Sequence, residues 1–102
     1  MSRAQRLLDL IEDHYSNWPI AFHITDPHGK IVGNIRKNPK GGFNTEIDNE
    51  MYASSNKKTP EESLKAHARE YADYLGRFND LSHSEIEQNY RHFLTYWKLK
   101  KA

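Results

Sequence analysis

Six histidines carry most of the chemical potential of this chain: His14, His23, His28, His67, His83 and His92. An imidazole can serve as base, acid or metal ligand near neutral pH. Holding a metal calls for pairs at i, i+4 on a helix or at H-x-H on a strand. None of the six makes either spacing. His14, His67, His83 and His92 fall at polar or edge positions of expected helices, His28 in a turn and His23 on the polar face of a strand. A solvated or core-edge role is therefore expected of each, and a site formed only in three dimensions would need a pair such as His23 with Glu46 of a neighbouring strand. Ser54, Ser55 and Ser63 lack the G-x-S-x-G turn and any positioned base that would make a nucleophile. Lys40-Gly41-Gly42 lacks the spacing of a phosphate-binding loop, and Glu61-Glu62 has a sufficient role at a helix start. The expectation is a protein that is not an enzyme and uses no cofactor and no metal.

The elements that must position these groups begin with residues 20–47, the one stretch that reads as strand. Ile20, Phe22 and Ile24 alternate with Ala21, His23 and Thr25, the period of a half-buried strand. Asp26-Pro27-His28-Gly29 suits a type I turn. Placing Thr25 opposite Lys30 pairs Ile24 with Ile31, Phe22 with Gly33 and Ile20 with Ile35. Asn38-Pro39-Lys40-Gly41 predicts a second turn, with Gly41 left-handed, leading into Phe43, Thr45 and Ile47. The result is a three-stranded antiparallel meander with one apolar face and a polar face of His23, Thr25, Lys30, Asn34, Arg36, Asn44 and Glu46.

Helices must cover the apolar face. Ser2 and Gln5 open a first helix whose stripe is Ala4, Leu7, Leu8, Ile11, Tyr15 and Trp18, with Leu10 off the stripe. Pro19 then suits the first residue of an edge strand. Residues 48–58 read as a long connection pinned by Met51 and Tyr52. Thr59-Pro60-Glu61-Glu62 opens a second helix with the stripe Leu64, Ala68, Tyr71, Ala72, Leu75 and Phe78. Ser82-His83-Ser84-Glu85 opens a third, with Ile86, Tyr90, Phe93, Leu94 and Trp97 inward and lysines at its carboxyl end. The fold class is α+β in the order α-β-β-β-α-α, one domain over residues 1–102, with the first and second helices on the sheet.

Composition limits the function classes. Fifteen basic and 14 acidic residues leave a net charge of +1, so no global field announces a nucleic-acid or membrane partner. The absence of cysteine excludes disulfides and thiolate sites, and no apolar run approaches the roughly 20 residues of a membrane span. A cytoplasmic protein is expected. Charge is uneven locally: residues 27–45 hold no carboxylate but carry Lys30, Arg36, Lys37 and Lys40.

Pro27-His28 in the first hairpin turn, Lys57-Lys58 shortly before the second helix and the polar hairpin carry a resemblance. Over residues 2–78 the order of elements is similar to that of double-stranded RNA-binding domains. The resemblance implies a minor-groove contact through His28. The sequence departs from that family in the acids Glu61 and Glu62, which stand where the family has a basic helix start.

Two binding functions follow. The first is a small non-enzymatic regulatory protein that docks on a protein partner, a profile common among accessory proteins of phages and mobile elements. Its anchor would be Tyr96, off the main stripe of the last helix, beside Lys100 one turn on, with Leu10 as a further apolar contact. The alternative is nucleic-acid binding through His28, Lys30, Arg36, Lys37 and Lys40.

Overall fold

The computed structural model describes residues 15–102. The first expected helix lies mostly outside them, as does Leu10, and residues 15–17 form a short 3-10 turn. Five strands follow as one antiparallel sheet: β1 (Ile20–Thr25), β2 (Ile31–Lys37), β3 (Phe43–Ile47), β4 (Glu50–Met51) and β5 (Lys98–Lys101), in the order β4-β3-β2-β1-β5. Two helices complete it, α1 (Pro60–Phe78) and α2 (His83–Tyr96). The α+β class stands, and the three-stranded meander is its centre, extended by one strand on each side.

Both hairpin turns form where local chemistry asks for them. The Asp26 carboxylate accepts from the amides of His28 at 2.9 Å and Lys30 at 3.0 Å. Gly41 takes φ +105°, as a bulged hairpin requires. The register of β1 on β2, however, differs from the simple one. Asp26 N–H bonds the Lys30 carbonyl, and a bulge between Ile24 and Thr25 adds a further residue, so Ile24 meets Gly33 and Phe22 meets Ile35. A two-residue displacement preserves parity, which keeps Ile24, Ile35 and Ile47 in the core. The bulges also remove two residues from it. Ile31 lies opposite Thr25 and is 52% exposed, and Ile20 lies opposite Arg36 at the second bulge and is exposed as well.

The stretch 48–58 is more ordered than a long connection. Asp48 and Asn49 both adopt positive φ, the geometry of a two-residue hairpin turn, and this returns β4 along β3. A bridge between Phe43 and Lys57 then carries the chain along the same edge.

Thr59 and Ser82 cap the two helices as their sequences predict. The Thr59 hydroxyl accepts from Glu62 N–H at 3.1 Å, and Ser82 and Glu85 form a reciprocal capping box. Serine and histidine, rather than the apolar stripe alone, fasten α1 to β3: Ser63 shares a 2.8 Å hydrogen bond with the Thr45 hydroxyl, and the His67 ring bonds the Thr45 backbone. α2 packs antiparallel on α1. Gly76 makes this approach possible, since a Cβ there would stand 2.5 Å from Ile86. Tyr71 stacks on Phe93 at 5.2 Å and Phe93 on Trp97 at 5.0 Å.

The last helix stops at Tyr96, earlier than its lysine-rich tail predicts. Trp97 is extended and buried in the core, and Leu99 pairs with Ile24 while Lys98, Lys100 and Lys101 stay exposed. Burying Trp97 and Leu99 beside Ile24 outweighs continuing a helix into solvent. β1 is consequently an interior strand, and the lysines of β5 protect the new edge.

Candidate functional site

Three surfaces collect side chains with chemistry. On the sheet face away from the helices, His23, Asn34 and Glu46 stand in register on β1, β2 and β3. Asn34 Nδ2 donates to Glu46 Oε1 at 3.1 Å, which leaves Asn34 Oδ1 to accept from His23 Nδ1 at 2.9 Å. His23 and Glu46 are therefore joined through an amide instead of touching. Arg36 Nε also donates to Glu46 Oε1, at 3.0 Å, and its Nη1 reaches the carbonyls of Ser16 and Trp18. This row knits three strands and the 3-10 turn together.

Arg36 is thus spent inside the fold, with little of its side chain exposed. The remaining members of the predicted basic hairpin are split. His28 and Lys30 sit at the β1–β2 turn and Lys40 at the other end of β2, a seven-residue strand of about 23 Å. What Lys40 does meet is Lys57 and Lys58. With Gly41, Gly42, Asn56 and Glu62 they line an open cleft of about 510 Å3. Asn56 closes its floor by donating to the Gly41 carbonyl at 3.0 Å. Among the described residues the ion pairs are Arg36–Glu46 and Arg69–Glu87, so these three lysines are unneutralised.

The third surface belongs to the carboxyl half of α1. Phe78, expected in the core, is 73% exposed, and its ring lies 4.6 Å from that of Tyr74, itself 40% exposed. The helix explains this: 19 residues span about 28 Å, longer than the strands beneath, and Phe78 falls in the overrunning last turn. Tyr74 also lines a smaller cavity of about 150 Å3 between α1 and the β3–β4 turn, with Ile47, Asp48, Glu50, His67, Tyr71 and Leu75. Tyr52 bonds Glu50 at 3.3 Å, and its hydroxyl is pushed up to about 12 by burial and then by the Glu50 charge.

His67, placed by its sequence at a polar or edge position, is 2% exposed. Tyr52 lies 4.8 Å from it and Trp97 meets its ring edge at 6.0 Å. Burial pushes His67 down to about 4, against the hydrogen bond to Thr45, so the ring is neutral at pH 7. Its Nδ1 has no partner. In the neutral tautomer that carries its proton on Nε2, Nδ1 holds a buried lone pair. The spacing of His67 from Leu64 and Tyr71, three and four residues, was the available sign of burial.

Tyr96 is partly exposed in the last turn of α2, at the opposite end of the helix pair from Phe78. Lys100 is not one helical turn beyond it, because it lies on β5 opposite His23. Ser55 and Ser63 are wholly buried in hydrogen bonds to Asn44, Thr45 and Tyr52. Among the described residues no three His, Asp or Glu side chains gather to hold a metal, and no helix is long and apolar enough to cross a membrane. No family model, curated protein or solved structure matches the chain.

Proposed function

We propose that this chain is a non-enzymatic binding protein that docks on a protein partner through the Tyr74–Phe78 end of α1. Phe78 carries the reading. An aromatic pair held in water forfeits the burial such rings ordinarily gain, and exposed apolar patches of this kind mark contact surfaces. The pair also sits on a helix braced by the Gly76–Ile86 contact, so the backbone that presents it is ordered before binding. Tyr96 at the far end of the helix pair is a secondary contact.

Affinity capture with the full chain as bait tests this. The same protein should be captured with and without nuclease, and Phe78→Ala should weaken it by about 1 to 4 kcal/mol while leaving the thermal midpoint nearly unchanged. Capture indifferent to Phe78→Ala overturns the docking surface, and capture abolished by nuclease overturns the protein partner.

A second reading has its own support in the cleft of Lys40, Lys57 and Lys58. Three unpaired cations from two segments suit a phosphate backbone, although Glu62 at the rim opposes it. Nucleic-acid binding would then centre on this cleft, with His28 and Lys30 too distant to share one contact.

A further inference from the structure

The cavity beside Tyr74 has a composition that selects its occupant. Asp48 and Glu50 line it with the rings of Tyr71 and Tyr74 and with His67. Neither carboxylate belongs to an ion pair among the described residues. The Nδ1 of His67 is buried and unpartnered, and in the neutral ring that carries its proton on Nε2 it is an acceptor. An unpartnered buried acceptor is costly, so a donor that reaches it gains more than it would in water. Every charged group here is negative, the buried nitrogen lacks a partner, and ring faces attract cations. Anions are excluded on the same grounds.

Resting on the docking surface proposed above, which shares Tyr74 with this cavity, we infer that the pocket takes the side-chain ammonium of a lysine presented by the partner. A volume of about 150 Å3 equals roughly five water molecules, room for a short alkyl chain and its charged end. A single lone pair matches one N–H of an ammonium better than the planar fork of a guanidinium, and an ammonium has three donors and no acceptor. The two other donors face Asp48 and Glu50, while the methylenes lie along Ile47 and Leu75.

The test titrates n-butylammonium chloride, n-butanol and Nα-acetyl-lysine methylamide separately into the full chain, followed by the NMR signals of the His67, Tyr71 and Tyr74 rings. The ammonium and the lysine derivative should shift all three saturably, and the alcohol should not. Asp48→Asn and Glu50→Gln replace exposed side chains and spare the fold, and each should weaken ammonium binding about twofold to fivefold. No saturable shift with the ammonium, or an equal response to the alcohol, overturns the proposal. So does exclusion of the lysine derivative while the simple amine binds, since the pocket would then serve a free amine. Phe78→Ala separates the two readings. If it abolishes capture of the partner while the pocket ignores ammonium, the pocket assignment alone falls. If ammonium binds and capture is indifferent to Phe78→Ala, the docking surface alone falls.

Discussion

Acidifying the protein from about pH 7 to about pH 4 should remove stability through His67, and the amount follows from its burial. The unfolded chain binds this proton with the ordinary value of 6.5, whereas the folded ring is held neutral down to about 4, chiefly by desolvation. A lowered folded-state value means that the unfolded state binds more protons between those limits. The contribution is therefore whole above about pH 6.5, declines as pH falls, and levels off below about pH 4. Each pH unit is worth about 1.4 kcal/mol, so the interval amounts to about 3 kcal/mol, a large share of the roughly 5 to 15 kcal/mol that holds a domain together. Urea unfolding at constant ionic strength, in half-unit pH steps, on the wild type and on His67→Gln would measure it. Glutamine keeps an N–H for the Thr45 carbonyl and does not titrate. The other histidines and the carboxylates, Asp48 and Glu50 of the cavity among them, act in both proteins and cancel in the difference. Wild-type stability should fall relative to the variant by about 3 kcal/mol over the interval. Parallel pH profiles would refute the reasoning and mean that His67 is hydrated, or protonates without cost beside the cavity carboxylates.

Three further outcomes follow from the packing and the charges. Ile35→Ala should cost about 2 to 5 kcal/mol and Ile31→Ala less than about 1, by chemical denaturation, and equal losses would show the β1–β2 bulge to be misplaced. Gly76→Ala should cost about 1 to 3 kcal/mol by driving a methyl into Ile86, and the cost should shrink in an Ile86→Ala background, so additive losses in the double-mutant cycle would dismiss the close helix approach. For nucleic-acid binding at the cleft, Lys40→Ser, Lys57→Ser and Lys58→Ser combined should flatten the salt dependence by about two to three units of log-log slope, and gel shifts without saturable binding of duplex or single strands at low salt would eliminate that reading.

What could be read from the sequence was what neighbouring residues decide among themselves. Asp26 and Gly29 make their turn with their own backbone, Thr59 and Ser82 cap their own helices, and parity along β1 and β3 assigns Ile24, Thr45 and Ile47 to one face. The register was not local, because a bulge opposite Ile24 and another beyond Phe22 exist only once two strands compete for the best pairing. β5 was hidden for the same reason: Trp-Lys-Leu-Lys at a helix end becomes a strand only when β1 offers an edge and the core offers Trp97 a place. The candidate sites depend still more on distant pairing. Lys40 reaches Lys57 and Lys58 because Phe43 bridges Lys57, and neither segment signals the other. Helical spacing from Leu64 and Tyr71 was a sign that His67 is buried, but its polar type assigned it to an edge, and nothing local puts carboxylates around it. That arrangement needs the left-handed residues Asp48 and Asn49, which fold β4 back along β3 and bring Glu50 to the cavity that α1 closes. An Asp-Asn pair tolerates the left-handed geometry of this turn, but residues 48–58 read locally as a long connection. Which helix its turn would face depends on Ser63 and His67 fastening α1 to Thr45, a choice made only in three dimensions.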